Sequence, residues 1–243
     1  MKHFLFTVAL AAAVLSSPAV VQAQPNAPAA PLAADDAREQ ASLDKHIKPI
    51  LAALHLSDPA KETQVHDILA DHLKALNAWH AQNDAQLKSL WNEFNKARGK
   101  KDDAAADAAL AKIDDVYAAL KPGHAQFLAA LSAVLTPKQV ETVKDVLTIN
   151  KVKITFNAYG QIFHGLTDEQ KAFILQNLKA AREEAIDAGA MTEKSAFFKK
   201  YKIKIEAYLT AQGYDVKQSY KDFVAKQKAA SAAEDSAATP QDK

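Results

Sequence analysis

The chain has no cysteine, and only six glycines in its 243 residues. Without thiols there is no disulfide framework, no lipid anchoring through an N-terminal cysteine and no thiolate nucleophile. The glycines stand singly, and none forms a phosphate-cradling or nucleophile-elbow loop. No serine sits in a recognisable hydrolase motif. Charge of one sign is also lacking: 30 basic against 29 acidic residues leave a formal net charge of +1, which is no electrostatic footprint for nucleic acid. After the first residues, no apolar run approaches the length of a membrane span.

What is present begins with a targeting segment. Met1-Lys2-His3 gives a short basic start, Phe4 to Val14 is apolar, and "VVQA" places Val21 and Ala23 where a signal peptidase reads. Residues 1–23 are therefore expected to be a secretory signal cleaved near Ala23, which puts the mature protein in the periplasm or outside the cell. Residues 24–40 are Pro/Ala-rich and read as an extended linker. Residues 41–228 carry the helical period of one domain, and 229–243, which lack large apolar residues, read as a disordered tail.

Within the domain, Leu43, Ile47, Ile50, Leu51 and Leu54 form a stripe that Pro49 is expected to kink or split. The strongest signal follows, over Ser57 to Arg98. Val65, Leu69, Leu73, Leu76, Trp79, Leu87, Leu90 and Phe94 recur at three- and four-residue steps. Gly99 marks its end, and Leu110, Ile113, Tyr117 and Leu120 resume the period on a return arm. The two arms predict a long antiparallel hairpin, because neither can bury its stripe alone. Val152 to Phe156 fits a helix or a strand. A strand would have only Tyr201 to Ile205 as partner, and helix is the reading adopted. Gly189 and Gly213 are read as helix stops, and Tyr220 and Phe223 as a short last helix.

A five-residue frame, Leu-Thr-x-x-Gln, occurs twice: Leu135, Thr136 and Gln139, then Leu166, Thr167 and Gln170. Each threonine can cap a helix by accepting from the backbone N–H of the glutamine, whose amide reaches back to the cap. Pro137 then falls at the first helical position. Leu135 and Val140 stand as staple partners in the first frame, whereas Lys171 takes the second position in the other. "LSDPAKE" at Leu56 is a looser version with Ser57 as cap. Helix-start chemistry accounts for the spacing without a ligand.

Few residues are arranged for chemistry. His80 and Asp84 are one helical turn apart, as are Asp67 and Asp71, so each pair can face a cation. The pairs and their neighbours His66 and His72 are read as polar positions beside a core stripe. Glu183, Glu184 and Asp187 read as a solvated face neutralised by Arg182. No catalytic residue, cofactor or metal is assigned. Nine lysines against four acids between Met191 and Lys228 concentrate positive charge. Lys199, Lys200, Tyr201, Lys202, Lys204 and Tyr208 form a candidate binding surface for an unfolded protein client or an anionic polysaccharide. The competing reading makes Phe198, Tyr201, Ile205 and Tyr208 a core stripe with the lysines snorkelling around it.

The blocks "ILADHLKALNAWH", "LSAVLTPKQVETVKD", "LTDEQKAFILQNLKAAREEAID" and "FFKKYKIKIEAYLTAQGYD", in this order and spacing, resemble a family of secreted bacterial proteins filed as domain of unknown function 3826. That resemblance runs from Leu43 to Asp215 and implies no settled activity and no catalytic residues. The two Leu-Thr-x-x-Gln frames separately resemble the LTxxQ class of periplasmic proteins, which includes Spy-type chaperones. The chain differs from these in its length, its neutrality and its many apolar stripes. The sequence thus predicts an all-α bundle of six to eight helices built on a long antiparallel hairpin. Its expected role is a non-catalytic binding or interaction protein, chaperone-like in one version. The alternative is an accessory enzyme acting on extracellular carbohydrate.

Overall fold

A computed structural model describes residues 30–238, with side chains over 37–231. The signal segment and the first part of the linker lie outside the described residues. Helices are α1 (Ala30–Leu54), α2 (Pro59–Lys100), α3 (Asp103–Tyr117), α4 (Lys121–Val134), α5 (Pro137–Leu147), α6 (Lys151–Ile162), α7 (Asp168–Ala185), α8 (Met191–Ala211) and α9 (Val216–Ala238). A 3-10 turn, Ala118–Leu120, joins α3 to α4 without a break, so the described residues form eight uninterrupted rods and no strand. The fold is all-α, and the Val152–Phe156 stretch is helical within α6.

Contacts divide the chain into Met1–Glu39 and Gln40–Lys243. Of the first unit, the described part is the opening of α1, which begins inside the stretch read as an extended linker. In the second unit α2 is the organising element. At 1.5 Å per residue its 42 residues reach about 63 Å. It packs against the return arm formed by α3 and α4, which is the long hairpin.

The stripe on α2 serves two apolar clusters in succession. Val65, Leu69 and Ala70 join α1, α4 and α5 through Ile47, Ile50, Leu131 and Val143. Leu87, Leu90, Trp91 and Phe94 join α3, α6, α7 and α8 through Ile113, Tyr159, Ile174, Phe197 and Ile205. Each fully buried Leu or Ile contributes about 1.5–3 kcal/mol relative to exposure. The end of α7 spans the two clusters, because Ala185 belongs to the second and Ile186 to the first.

Several local expectations change. Pro49 lies inside α1 without splitting it. Asp58, not Ser57, caps α2, its carboxylate accepting from the Ala60 N–H at 2.9 Å. The left-handed residue closing α2 is Lys101, not Gly99. The last helix is long, continuing to Ala238 past the expected boundary at 228. Among the described residues no helix is long and apolar enough to cross a membrane.

Candidate functional site

Between the two apolar clusters α2 carries polar side chains inward. His80 is 5% exposed, although it occupies the position a continuing apolar stripe would fill. Its surroundings come from the segment linking α7 to α8, residues 186–190. That segment is held from the first turn of α8: Lys194 Nζ donates to the carbonyls of Ala185 and Ile186, and Glu193 accepts from the Gly189 N–H at 2.9 Å. An ammonium at the last carbonyls of α7 and a carboxylate at the first turn of α8 each complement the local helix dipole. Burial pulls Lys194 down to about 8, with Asp187 and Glu193 opposing.

His80 is fixed at both ring nitrogens. Its Nε2–H donates to the Asp187 carbonyl at 2.7 Å, and Nδ1 lies 2.7 Å from Asp84 Oδ1. Ligand atoms of His80, Asp84 and Glu193 all fall within 4.8 Å of one another. Asp84 and Glu193 line a cleft of about 380 Å3 with Lys88, Trp91, Asn92 and Asn95. The Trp91 ring is buried, and its Nε1–H has no hydrogen-bond partner.

On the other side of the same segment lies a second histidine group. His124 Nδ1 stands 3.0 Å from Asp187 Oδ2, and His72 Nε2 stands 3.6 Å from Oδ1. The His72 ring stacks on Phe127, with centroids 3.8 Å apart. Burial drives the His72 imidazole down to about 4, against the pull of Asp187. His124 moves the other way, because its hydrogen bond with Asp187 outweighs the cost of burial. Asp187, His124, Tyr117, Glu183 and Glu184 line a cleft of about 350 Å3. The Tyr117 hydroxyl is buried near Glu193; burial, then the charge of Glu193 and a hydrogen bond to it, push its ionisation up. A carboxylate pairing with imidazole at a cleft is equipped for proton transfer.

The acidic face of α7 is not uniformly solvated. Asp187 is 8% exposed and Arg182 only 2%. Arg182 donates to Asp145 at 2.6 Å, to both oxygens of Glu141 at 2.8 and 2.9 Å, and to Glu183 at 3.1 Å. It clamps α5 to α7.

The surface read from the sequence on α8 divides into three parts. Lys200 pairs with Asp114 and Glu184, and the Tyr201 hydroxyl donates to Glu184 at 2.6 Å. Tyr208 stacks on Phe173, while Lys204 stays exposed. Lys199 and Lys202 enter a groove of about 700 Å3 between α2, α6 and α8, together with Arg98, Lys151, Asn95 and Thr155. The expected core stripe is present beside them, with Phe198 and Ile205 buried.

Both five-residue frames are capping boxes. Thr136 accepts from the Gln139 N–H and Gln139 Oε1 accepts from the Thr136 N–H; Thr167 and Gln170 repeat the exchange. Leu135 and Val140 are buried together, as staple partners should be.

Sequence reasoning saw the His80–Asp84 pair but missed His124 and the inward turn of Asp187. The only available signal was an excess of histidine at stripe-adjacent positions. Fold and site together define an all-α bundle with a buried His/Asp seam between two apolar clusters. The chain belongs to the family described as protein of unknown function (DUF3826), whose model matches residues 40–229. No curated protein matches it.

Proposed function

We propose that this is an exported binding protein whose ligand is an anionic polysaccharide, held in the groove between α2, α6 and α8. One observation carries the reading. Lys151, Lys199 and Lys202 converge on that groove, and among the described residues none of them forms an ion pair. Lys199 donates instead to Asn95, while Lys151 lies over the Phe198 ring and Lys202 between the rings of Tyr159 and Tyr220. Lysines held on rings and amides, outside any ion pair, keep their charge available to carboxylate or sulfate groups. The one acid in the groove, Glu206, accepts from the Tyr220 hydroxyl at 2.7 Å and leaves Lys151, Lys199 and Lys202 in excess over a single carboxylate. Export rests on the basic start, the apolar run and the "VVQA" stretch, with cleavage near Ala23.

Titration calorimetry with a uronic-acid polymer and with a neutral glucan tests the proposal. The anionic polymer binds with a salt-dependent affinity, and the neutral one does not. Removing Lys151, Lys199 and Lys202 together abolishes binding, while Lys204→Ala leaves it intact. Equal binding by the triple variant sinks the reading.

An enzyme acting on extracellular carbohydrate has the His124–Asp187 pair in its favour. Its mark is release of new polymer ends, lost in His124→Gln. The chaperone-like version has less support. Of the large exposed hydrophobics among the described residues, Ile149 and Met191 share a cleft of about 560 Å3, which Ile154 and Val224 do not line, whereas client binding needs a contiguous apolar face. Suppression of client aggregation at a stoichiometric ratio would revive it.

A further inference from the structure

We propose that His80, Asp84 and Glu193 form a binding site for a single divalent transition-metal ion, open to the cleft that Asp84 and Glu193 line. The inference concerns a different cleft from the lysine groove and is independent of what that groove binds.

The orientation of His80 is the first ground. A metal-bound histidine usually donates its other ring N–H to a carbonyl or carboxylate, which fixes the tautomer and turns the free lone pair to the ion. Here Nε2–H is committed to the Asp187 carbonyl, leaving Nδ1 to face Asp84 Oδ1 at 2.7 Å. Two acceptors face each other there, and they need a proton or a cation between them. Glu193 brings a second carboxylate within 4.8 Å, so the group offers one nitrogen and two oxygens. Lys194, which Glu193 also attracts, offsets part of this negative charge, and a cation between the three ligand atoms would offset the rest.

Construction of the surroundings is the second ground. Gly189 lies so close that a Cβ there would stand 2.9 Å from His80 Nδ1, so the backbone leaves room for this ring placement only with glycine. Glu193 is oriented by the Gly189 N–H. The third ground is Trp91, which is 7% exposed, lines the cleft and has an unpartnered Nε1–H. A buried donor without a partner costs about 1–3 kcal/mol, which marks the wall of this cleft as polar and incompletely satisfied.

The donor set selects the ion. Imidazole with two carboxylates suits Zn2+ or Mn2+, whereas Ca2+ and Mg2+ favour all-oxygen sites. Three protein ligands leave at least one position for water or a ligand group in the cleft.

Calorimetric titration of the metal-stripped full chain with Zn2+ and with Mn2+ is the test, followed by thermal unfolding with and without metal. The expected result is one ion per chain and a raised Tm. Asp84→Asn leaves packing intact, because that side chain is 66% exposed, and it weakens binding at least about tenfold. Glu193→Gln does the same while keeping an acceptor for Gly189. His66→Ala, at the separate surface pair with Asp44 and Asp67, leaves the affinity unchanged. The proposal is overturned by no uptake, by uptake unchanged in both carboxylate variants, by uptake lost only in His66→Ala, or by equal affinity for Ca2+ and Mg2+.

Discussion

The α-carbon of Gly189 lies against the imidazole of His80, and a methyl group there would approach Nδ1 to 2.9 Å. Its φ is not in the left-handed region, so glycine is required at this position by space and not by backbone conformation. The expectation that Gly189 simply stops a helix is replaced by close approach. The ring cannot retreat cheaply, since both its nitrogens are engaged. Gly189→Ala should therefore destabilise the fold by about 1–3 kcal/mol, read as a lower urea midpoint. It should also abolish the metal uptake proposed for His80. Gly160→Ala, where nothing lies within 4 Å, should cost no stability.

Arg182 is the most buried cation described, and its partners Glu141 and Asp145 lie on α5. Burial opposes its charge, and the hydrogen bonds to Asp145 and Glu141 more than offset it. Arg182→Met should cost about 3 kcal/mol in denaturant unfolding. That is the low end for breaking a buried pair, because water can reach the carboxylates left behind.

The His72 imidazole titrates near pH 4 in the folded chain and near 6.5 when unfolded. Between those values the unfolded state binds the proton that the folded state refuses, so stability falls as pH drops from 6.5 towards 4. His124 has the opposite sign: its contribution is full below 6.5 and fades as pH rises through its raised folded value. His72→Phe removes only the acid-side loss. The stability difference between pH 7.5 and 4.5 should shrink by about 2–3 kcal/mol in the variant, measured by urea unfolding at both pH values.

The two capping boxes should respond unequally. Thr136→Ala and Thr167→Ala each lose a cap and should cost about 0.5–2 kcal/mol. Gln139 is on the surface side of its box, whereas Gln170 is buried and also accepts from the Tyr214 hydroxyl at 3.2 Å. Gln170→Ala should therefore cost about 1–3 kcal/mol more than Gln139→Ala in thermal or urea unfolding. Equal costs would show that Tyr214 does not depend on the box.

Helices, the hairpin and both caps were legible in the sequence because each depends on residues within one or two turns. Leu69, Leu87 and Phe94 recur at a helical period whatever they pack against, and Thr136 meets Gln139 three residues away. His80 and Asp84 belong to the same class, one turn apart on α2. The lysine surface was only half legible. Spacing put Lys199 to Lys204 on one helix, but Asp114 and Glu184, which neutralise Lys200, come from α3 and α7.

The sequence by itself determined an all-α chain, its helix starts and the apolar stripe of α2. Only the tertiary structure decided that this stripe is shared between two clusters, with His72, His80 and His124 gathered at their junction. Asp187 reaches His80 across 107 residues of sequence. Periodicity registers which face of a helix is apolar, but not which distant loop will fill a gap in that face. The gap is filled when α7 ends between the clusters and turns a carboxylate and a carbonyl inward, where buried polar groups must find partners.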